Sequence, residues 1–299
     1  MTNWTGIRWM MGGTSLALAA IAAVSFTTNQ VSADPNDNEL IIEGQKIPTK
    51  TKAPEGSPFD ELYSGWRYRS PETQALQMDD FENPGFPMVD RGQALWEKVD
   101  GSAGKSCASC HNDASESMKG VRASMPKWHD KIGKVQALEH HINYCRTERM
   151  GAKEWKWESD DMLGMTAYVG LQSRGMPVKV ETGGKYKDTW EKGKALYYTR
   201  VGQLDMSCAG CHEDNTGRMI RADHLSQGQI NGFPVYRFKW SKMGSIHRRF
   251  KGCMDNIRAK PYKRGSDEFT ALELYVASRG QGLSCLLYTS DAADEVVPV

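Results

Sequence analysis

Two runs of Cys-x-x-Cys-His, Cys107-Ala-Ser-Cys110-His111 and Cys208-Ala-Gly-Cys211-His212, stand 101 residues apart in a chain of 299. In such a run two thiols form thioether bonds to the vinyl groups of a haem, and the adjoining His supplies an axial nitrogen to its iron. The whole chain holds only seven Cys and seven His, so chance would give far fewer than one such run. Two of them predict two covalently bound haem c groups. Zinc sites made from paired Cys-x-x-Cys bring the pairs within about 15 to 20 residues and do not require a His after each pair. A thioredoxin-like redox pair would need a strand-to-helix context that neither run shows, and would leave the repeated His unexplained.

Haem is joined to such motifs outside the cytoplasm, and the N-terminus reads as a matching export signal. A lone Arg8 precedes an apolar, small-residue run from Met10 to about Phe26, and Val31-Ser32-Ala33 comes before Asp34-Pro35. That is the pattern of a signal peptide over 1–33, cleaved after Ala33. The apolar run is shorter than the roughly 20 residues a spanning helix needs, so a periplasmic location without stable membrane insertion is expected, with an uncleaved anchor as the alternative. Removal of 1–33 leaves 37 Lys and Arg against 37 Asp and Glu, so the charge goes from +1 to zero. A neutral whole argues against nucleic acid as a partner. The charge is nevertheless uneven: between Arg237 and Arg264 ten Lys and Arg face Asp255 alone. A solvated helical face explains such a run; its placement around Cys253 equally suits a funnel for anions.

Residues 34–85 are polar, with Pro35, Pro48, Pro54 and Pro58 and little periodicity, and read as an N-terminal extension that wraps rather than folds alone. Beyond it the chain repeats. Arg91-Gly92-Gln93-Ala94-Leu95-Trp96 aligns with Lys192-Gly193-Lys194-Ala195-Leu196-Tyr197 at the same offset of 101 as the haem motifs. Downstream, Asp161 to Gly175 and Asp267 to Gly280 share helical spacing of Met, Leu, Tyr and Val, and end in Ser-Arg-Gly. Each half therefore reads as helix, haem motif, long loop, middle helix and C-terminal helix, the plan of a cytochrome c built twice. The expected fold class is all-α, with tandem cytochrome c-like haem domains at 86–180 and 181–283 and much irregular chain. Leu286 to Glu295 resembles translated sequencing adapter, so 284–299 is expected to be a non-native tail in which Cys285 has no role.

The ligand on the open face of each iron decides the chemistry, because axial-ligand identity moves haem potentials over about 0.8 V. Met176-Pro177 follows the last helix of the first half, where a Met ligand often sits; the second half has Gln281-Gly282-Leu283 there. With the four haem-bonding thiols subtracted, Cys145 lies 23 residues before Tyr168 and Cys253 lies 22 before Tyr275. The matched placement suggests one shared job. If it is ligation, a thiolate favours Fe(III) and a low potential. A Cys145–Cys253 disulfide, two unrelated buried thiols, Met176 on the first haem, and His140 or His141 there remain as alternatives.

The chain resembles the SoxA family, dihaem subunits of the SoxAX cytochromes of bacterial thiosulfate oxidation. The likeness runs from about Pro71 to Gly282 and is carried by Glu72 to Asp80, Asn83-Pro84-Gly85, both haem motifs, Ile142-Asn143-Tyr144-Cys145-Arg146, and Arg249-Phe250-Lys251-Gly252-Cys253. It implies His111 and Cys145 as ligands of the first haem iron, and His212 and Cys253 of the second. It also implies Cys253 as a catalytic persulfide, with Arg249 contacting substrate. The implied partners are a SoxX-type monohaem cytochrome c, in a heterodimer, and a SoxYZ-type carrier protein whose cysteine receives thiosulfate. Two electrons then pass to a downstream cytochrome c. A guanidinium fork suits the sulfonate oxygens of a small dianion, and in a helix Arg249 and Cys253 share a face at i and i+4. Arg249 would equally serve a haem propionate, as would Arg248, Lys251 or His247. A dihaem electron carrier without its own substrate is the competing function. A dihaem peroxidase would need an open or displaceable distal site, against which the spare Cys at each haem counts.

Overall fold

The computed structural model describes Met1 and residues 35–220, 223–287 and 289–290. The expected signal peptide, Met1 apart, and the final residues from 291 lie outside them. The N-terminal segment, expected to be without regular structure, forms two antiparallel hairpins: β1 (Leu40–Ile42) with β2 (Gln45–Ile47), and β3 (Lys50–Lys52) with β4 (Glu61–Tyr63). Strands of three residues are too short to leave a period-two signature. Leu40, Ile42 and Ile47 turn inward onto Trp66, Val235 and Leu286, so the segment shares a core with residues from the second half of the chain. Then α1 (Pro71–Met78) starts at Ser70, whose hydroxyl accepts from Thr73 N, with Pro71 in the first turn.

The first half comprises α2 (Phe86–Glu97), the motif helix α3 (Ala108–His111), α4 (Ala114–Ser117), the hairpin of β5 (Lys127–His129) and β6 (Lys134–Gln136), α5 (Leu138–Cys145) and α6 (Asp160–Leu171). The second half repeats it: α7 (Lys187–Tyr198), the motif helix α8 (Cys208–His212), the short pair β7 (Met219–Ile220) and β8 (Asp223–His224), β9 (Val235–Arg237) with β10 (Lys242–Gly244), α9 (Ile246–Asn256) and α10 (Asp267–Arg279). A last strand, β11 (Thr289–Ser290), runs parallel to β9. The helical architecture with much irregular chain is the one expected, and the strands are short additions to it.

Both halves are closed by a first helix crossing a last one, and a glycine permits each crossing. A Cβ on Gly92 of α2 would collide with the Gly164 carbonyl and lie 2.5 Å from Tyr168 Cβ on α6. A Cβ on Gly193 of α7 would collide with the Ala271 carbonyl and lie 2.8 Å from Tyr275 Cβ on α10. The invariant offset of Gly92 and Gly193 seen in the repeat thus has a steric cause: only a hydrogen lets the backbones come so close. The last helices start alike, with Ser159 and Ser266 hydroxyls accepting backbone N–H groups and acidic residues in the first turn. Ion pairs Arg91–Asp161 and Lys192–Glu268 occupy equivalent places at the two crossings.

One sequence boundary moves. Ser284, Cys285, Leu286 and Leu287 are buried; Cys285 exchanges backbone hydrogen bonds with Gly175 and Met176, Leu286 N donates to Asn231 O, and Gln77 Nε2 donates to Leu287 O. These four residues belong to the core rather than to a tail. The adapter-like composition hid a run of apolar side chains with somewhere to go.

Candidate haem centres

In the first half, Cys107 caps α3 and the helix carries Cys110 and His111 on one turn. Ser106 and Ser109 fix its start by exchanging backbone N–H donation to each other's hydroxyl, at 2.9 and 3.1 Å. Trp96 on α2 is buried with its ring centroid 5.8 Å from that of His111, and its indole N–H donates to Asn112 O. Cys107 packs in an apolar cluster with Trp96, Met125, Leu138, Ile142, Met165 and Val169. Burial pushes the Cys107 thiol up to about 11, and the negative charge of Cys145 adds to the shift. Cys145 in turn is raised first by burial and then, among its neighbours, by Cys110. Cys145 and the first motif thus lie near enough for their charges to act on each other.

The rival ligands are engaged elsewhere. His140 accepts from Ala137 N at Nδ1, so its Nε2–H donates to Gly265 O at 3.0 Å. His141 points Nε2 at Lys127 O and lies against the His129 ring. Met176 packs in the cluster around α10 instead of the one that holds Cys107, with its methyl over Gly120. No disulfide bridges Cys145 and Cys253.

The second half builds an opening around its own motif. A cavity of about 230 Å³ is lined by Cys208, Cys211, His212, Arg249, Cys253 and Tyr262 among others. Ser207 starts α8 by accepting from Gly210 N. His212 is held from behind: its Nδ1 lies 2.8 Å from Ser226 O, and a Cβ on Gly228, whose φ is +75°, would meet the ring at 2.8 Å. Desolvation lowers its pKa to about 4. The ring is thus neutral at physiological pH, donates from Nδ1 to the Ser226 carbonyl, and keeps the Nε2 lone pair for a metal. Burial raises the Cys208 thiol to about 12, with the charges of Cys253 and Cys211 contributing. Thiol pair, oriented imidazole and glycine-walled cradle fit a covalently bound haem.

Arg249 and Cys253 lie one turn apart on α9 and both line this cavity. The neighbours that the sequence offered for the same role have other partners. Arg248 stacks on Trp240 at 4.4 Å and faces Glu158, Lys251 pairs with Asp255 at 2.6 Å, and His247 is fully buried against Glu273. Arg237, the first cation of the basic run, lines the cavity and is buried, and sequence reasoning missed Arg69, which is buried and lines it too. Arg69 comes from the N-terminal segment, which no spacing connects to a haem motif. It also missed Gln227, which accepts from Tyr63 N at 2.8 Å and donates to Glu61 O at 3.0 Å, tying β4 to the loop whose Ser226 carbonyl orients His212.

The SoxA/TsdA cytochrome c domain model matches residues 91–178 and again 192–285. The chain is 50% identical over 277 residues to the L-cysteine S-thiosulfotransferase subunit SoxA of Rhodovulum sulfidophilum, covering 92% of this chain and 96% of that protein. It is likewise 50% identical to the subunit so named in Paracoccus pantotrophus, covering 95% of this chain and 97% of that one. A chain in the crystal structure of SoxXA from P. pantotrophus superposes with a TM-score of 0.82 at 50% identity, covering 86% of this chain and 99% of its own length. Identity of this order across nine-tenths of the sequence, together with a domain match in each half, means that the chain belongs to the SoxA family and carries two covalently bound haem c groups.

Proposed function

We propose that this chain is the catalytic subunit of an L-cysteine S-thiosulfotransferase, conjugating thiosulfate oxidatively to a cysteine of a SoxYZ-type carrier while bound to a SoxX-type monohaem cytochrome c. The observation that carries this reading is the meeting of Cys253 and Arg249 with Cys208, Cys211 and His212 in one cavity. The names of the relatives, at 50% identity, and the SoxXA crystal structure support it. The iron ligands are proposed as His111 and Cys145 in the first half and His212 and Cys253 in the second, in cytochrome c-like domains at 86–180 and 181–283. Haem attachment outside the cytoplasm supports a periplasmic location. Among the described residues no helix is long and apolar enough to cross a membrane.

Arg249 presents a planar fork of donors to the sulfonate oxygens of thiosulfate. That contact aims the sulfane sulfur at Cys253, one helical turn away. The terminal sulfur of a Cys253 persulfide and the sulfane sulfur then form an S–S bond and give up two electrons. The carrier thiolate, its proton lost to solvent, attacks the sulfane sulfur and takes the S-sulfonate, and the bond breaks back to the persulfide. The bound haem c groups supply one-electron acceptors, which a downstream cytochrome c reoxidises.

Arg249→Ala is expected to lower kcat/KM for thiosulfate by roughly 30-fold or more, the loss of charge-assisted hydrogen bonds worth about 2 kcal/mol, with normal haem content. Arg249→Lys should recover part of it. Full conjugating activity in Arg249→Ala with both haem groups in place would remove the residue from substrate binding.

A further inference from the structure

A second group of ionisable residues lies at the junction of the two halves, away from both motifs. Glu139 on α5, His247 on α9 and Glu273 on α10 are all buried, and His247 is wholly so. His247 Nδ1 accepts from Gly265 N at 3.0 Å, which leaves its Nε2 facing Glu273 Oε2 at 3.1 Å. The same Gly265 accepts from His140 on α5, and Trp157 stands between the His140 and His247 rings at 4.7 and 4.8 Å. The helices that carry Cys145 and Cys253 are therefore joined through one peptide and one indole. Glu139 and His247 hold equivalent places, each six residues before its cysteine, or about 9 Å along the helix.

The charges around the pair do not balance. Besides His247, Arg122 is a cation that acts on Glu139, and its guanidinium donates to the Phe233 and Ile230 carbonyls. Thr166 from α6 and Ser245 from the α9 cap face the same spot, Ser245 donating to Glu158; Lys134 and His140 lie further out. A cavity of about 10 Å³ sits between Arg122, Glu139, Thr166, Ser245 and Glu273, with Leu138, Phe233, Pro234 and Ile246 on its other walls, at the threshold for holding one water. Two carboxylates so placed cannot both stay ionised without cost. Burial and the charge of Glu273 hold Glu139 up at about 7.

We infer that the Glu139–Glu273–His247 cluster is a redox-linked proton site, taking up a proton from solvent when the haem irons are reduced and releasing it when they are reoxidised. Each added electron removes one unit of positive charge from the haem side of α5 and α9. A carboxylate at about 10 Å, with an effective dielectric near 20, then binds its proton on the order of tenfold more tightly. The proton forms the carboxyl O–H and no other bond changes. The site depends on the haem content and not on the identity of the substrate, so dithionite and redox mediators test it without thiosulfate.

Potentiometric titration of the intact haem protein at a series of pH values is the test. The midpoint potentials are expected to fall as pH rises through about 7, by a total near 59 mV for a tenfold linkage at one electron. Glu139→Gln and Glu273→Gln should flatten that dependence while the haem content is kept. Wild-type protein alone gives a second readout: the reduced-minus-oxidised infrared spectrum should gain a protonated-carboxyl carbonyl band. Potentials independent of pH, a dependence unchanged in both variants, or no such band would each overturn the assignment.

Discussion

Cys253→Ala is expected to lower thiosulfate conjugation by roughly 10⁴-fold or more while leaving both haem groups attached. The two effects separate because attachment and catalysis use different sulfurs. Thioether formation in the second half needs Cys208 and Cys211, which α8 places beside His212, and Cys253 arrives from α9 across the cavity. Removing its side chain leaves the motif intact and takes away the sulfur on which the S–S bond forms. Activity assays with a carrier protein check the first part, and mass and haem-to-chain ratio check the second. The electron paramagnetic resonance of the second ferric centre should change at the same time, from His/thiolate to another low-spin or a high-spin type. Cys145→Ala makes the contrast: the same kind of spectral change at the first centre, with conjugation retained.

Gly193→Ala is expected to cost roughly 2–4 kcal/mol of stability, a large part of the 5–15 kcal/mol available to a folded domain. One methyl group would collide with the Ala271 carbonyl and come within 2.6 Å of the carbon that bears it. Relief requires α7 and α10 to separate. Leu196 and Tyr197 on the first helix and Leu272 and Val276 on the second all line the haem cavity, so the same separation loosens the cradle. Thermal unfolding followed at the haem absorption band should show a midpoint lower by about 5–10 °C. Gly252→Ala is the control, since a Cβ there meets nothing within 4 Å. In the interior of α9 it should stabilise by about 0.5–1 kcal/mol. Equal effects of the two substitutions would mean that helix propensity, not the crossing, governs Gly193.

The reach of the sequence follows from how local each signal is. The haem motifs, the repeat that contains Gly92 and Gly193, and the paired placement of Cys145 and Cys253 are all short patterns with a fixed spacing. They pointed to the helices and to Cys253, while Arg249 came with the resemblance to the SoxA family. The long-range parts were silent. Arg69 reaches the second cavity from a segment whose strands are three residues long, and the group that orients His212 is the backbone carbonyl of Ser226, which no side chain announces. Sequence left His140 and His141 as possible ligands and His247 as a possible propionate partner. Their actual partners, Gly265, Lys127 and Glu273, come from elements distant in sequence. The apolar run at Ser284 to Leu287 was misread for the same reason, because only the fold shows the surface it covers.

The central claim, that the Cys253 sulfur is the seat of the chemistry, is tested most directly by the mass of the peptide that contains it, isolated from protein prepared without reductant. A mass higher than that of the free cysteine by one sulfur atom, about 32 Da, is expected, since a persulfide is a reversible cap on cysteine. Reductant should remove the extra sulfur and thiosulfate conjugation together. A plain Cys253 thiol in fully active protein would contradict the account.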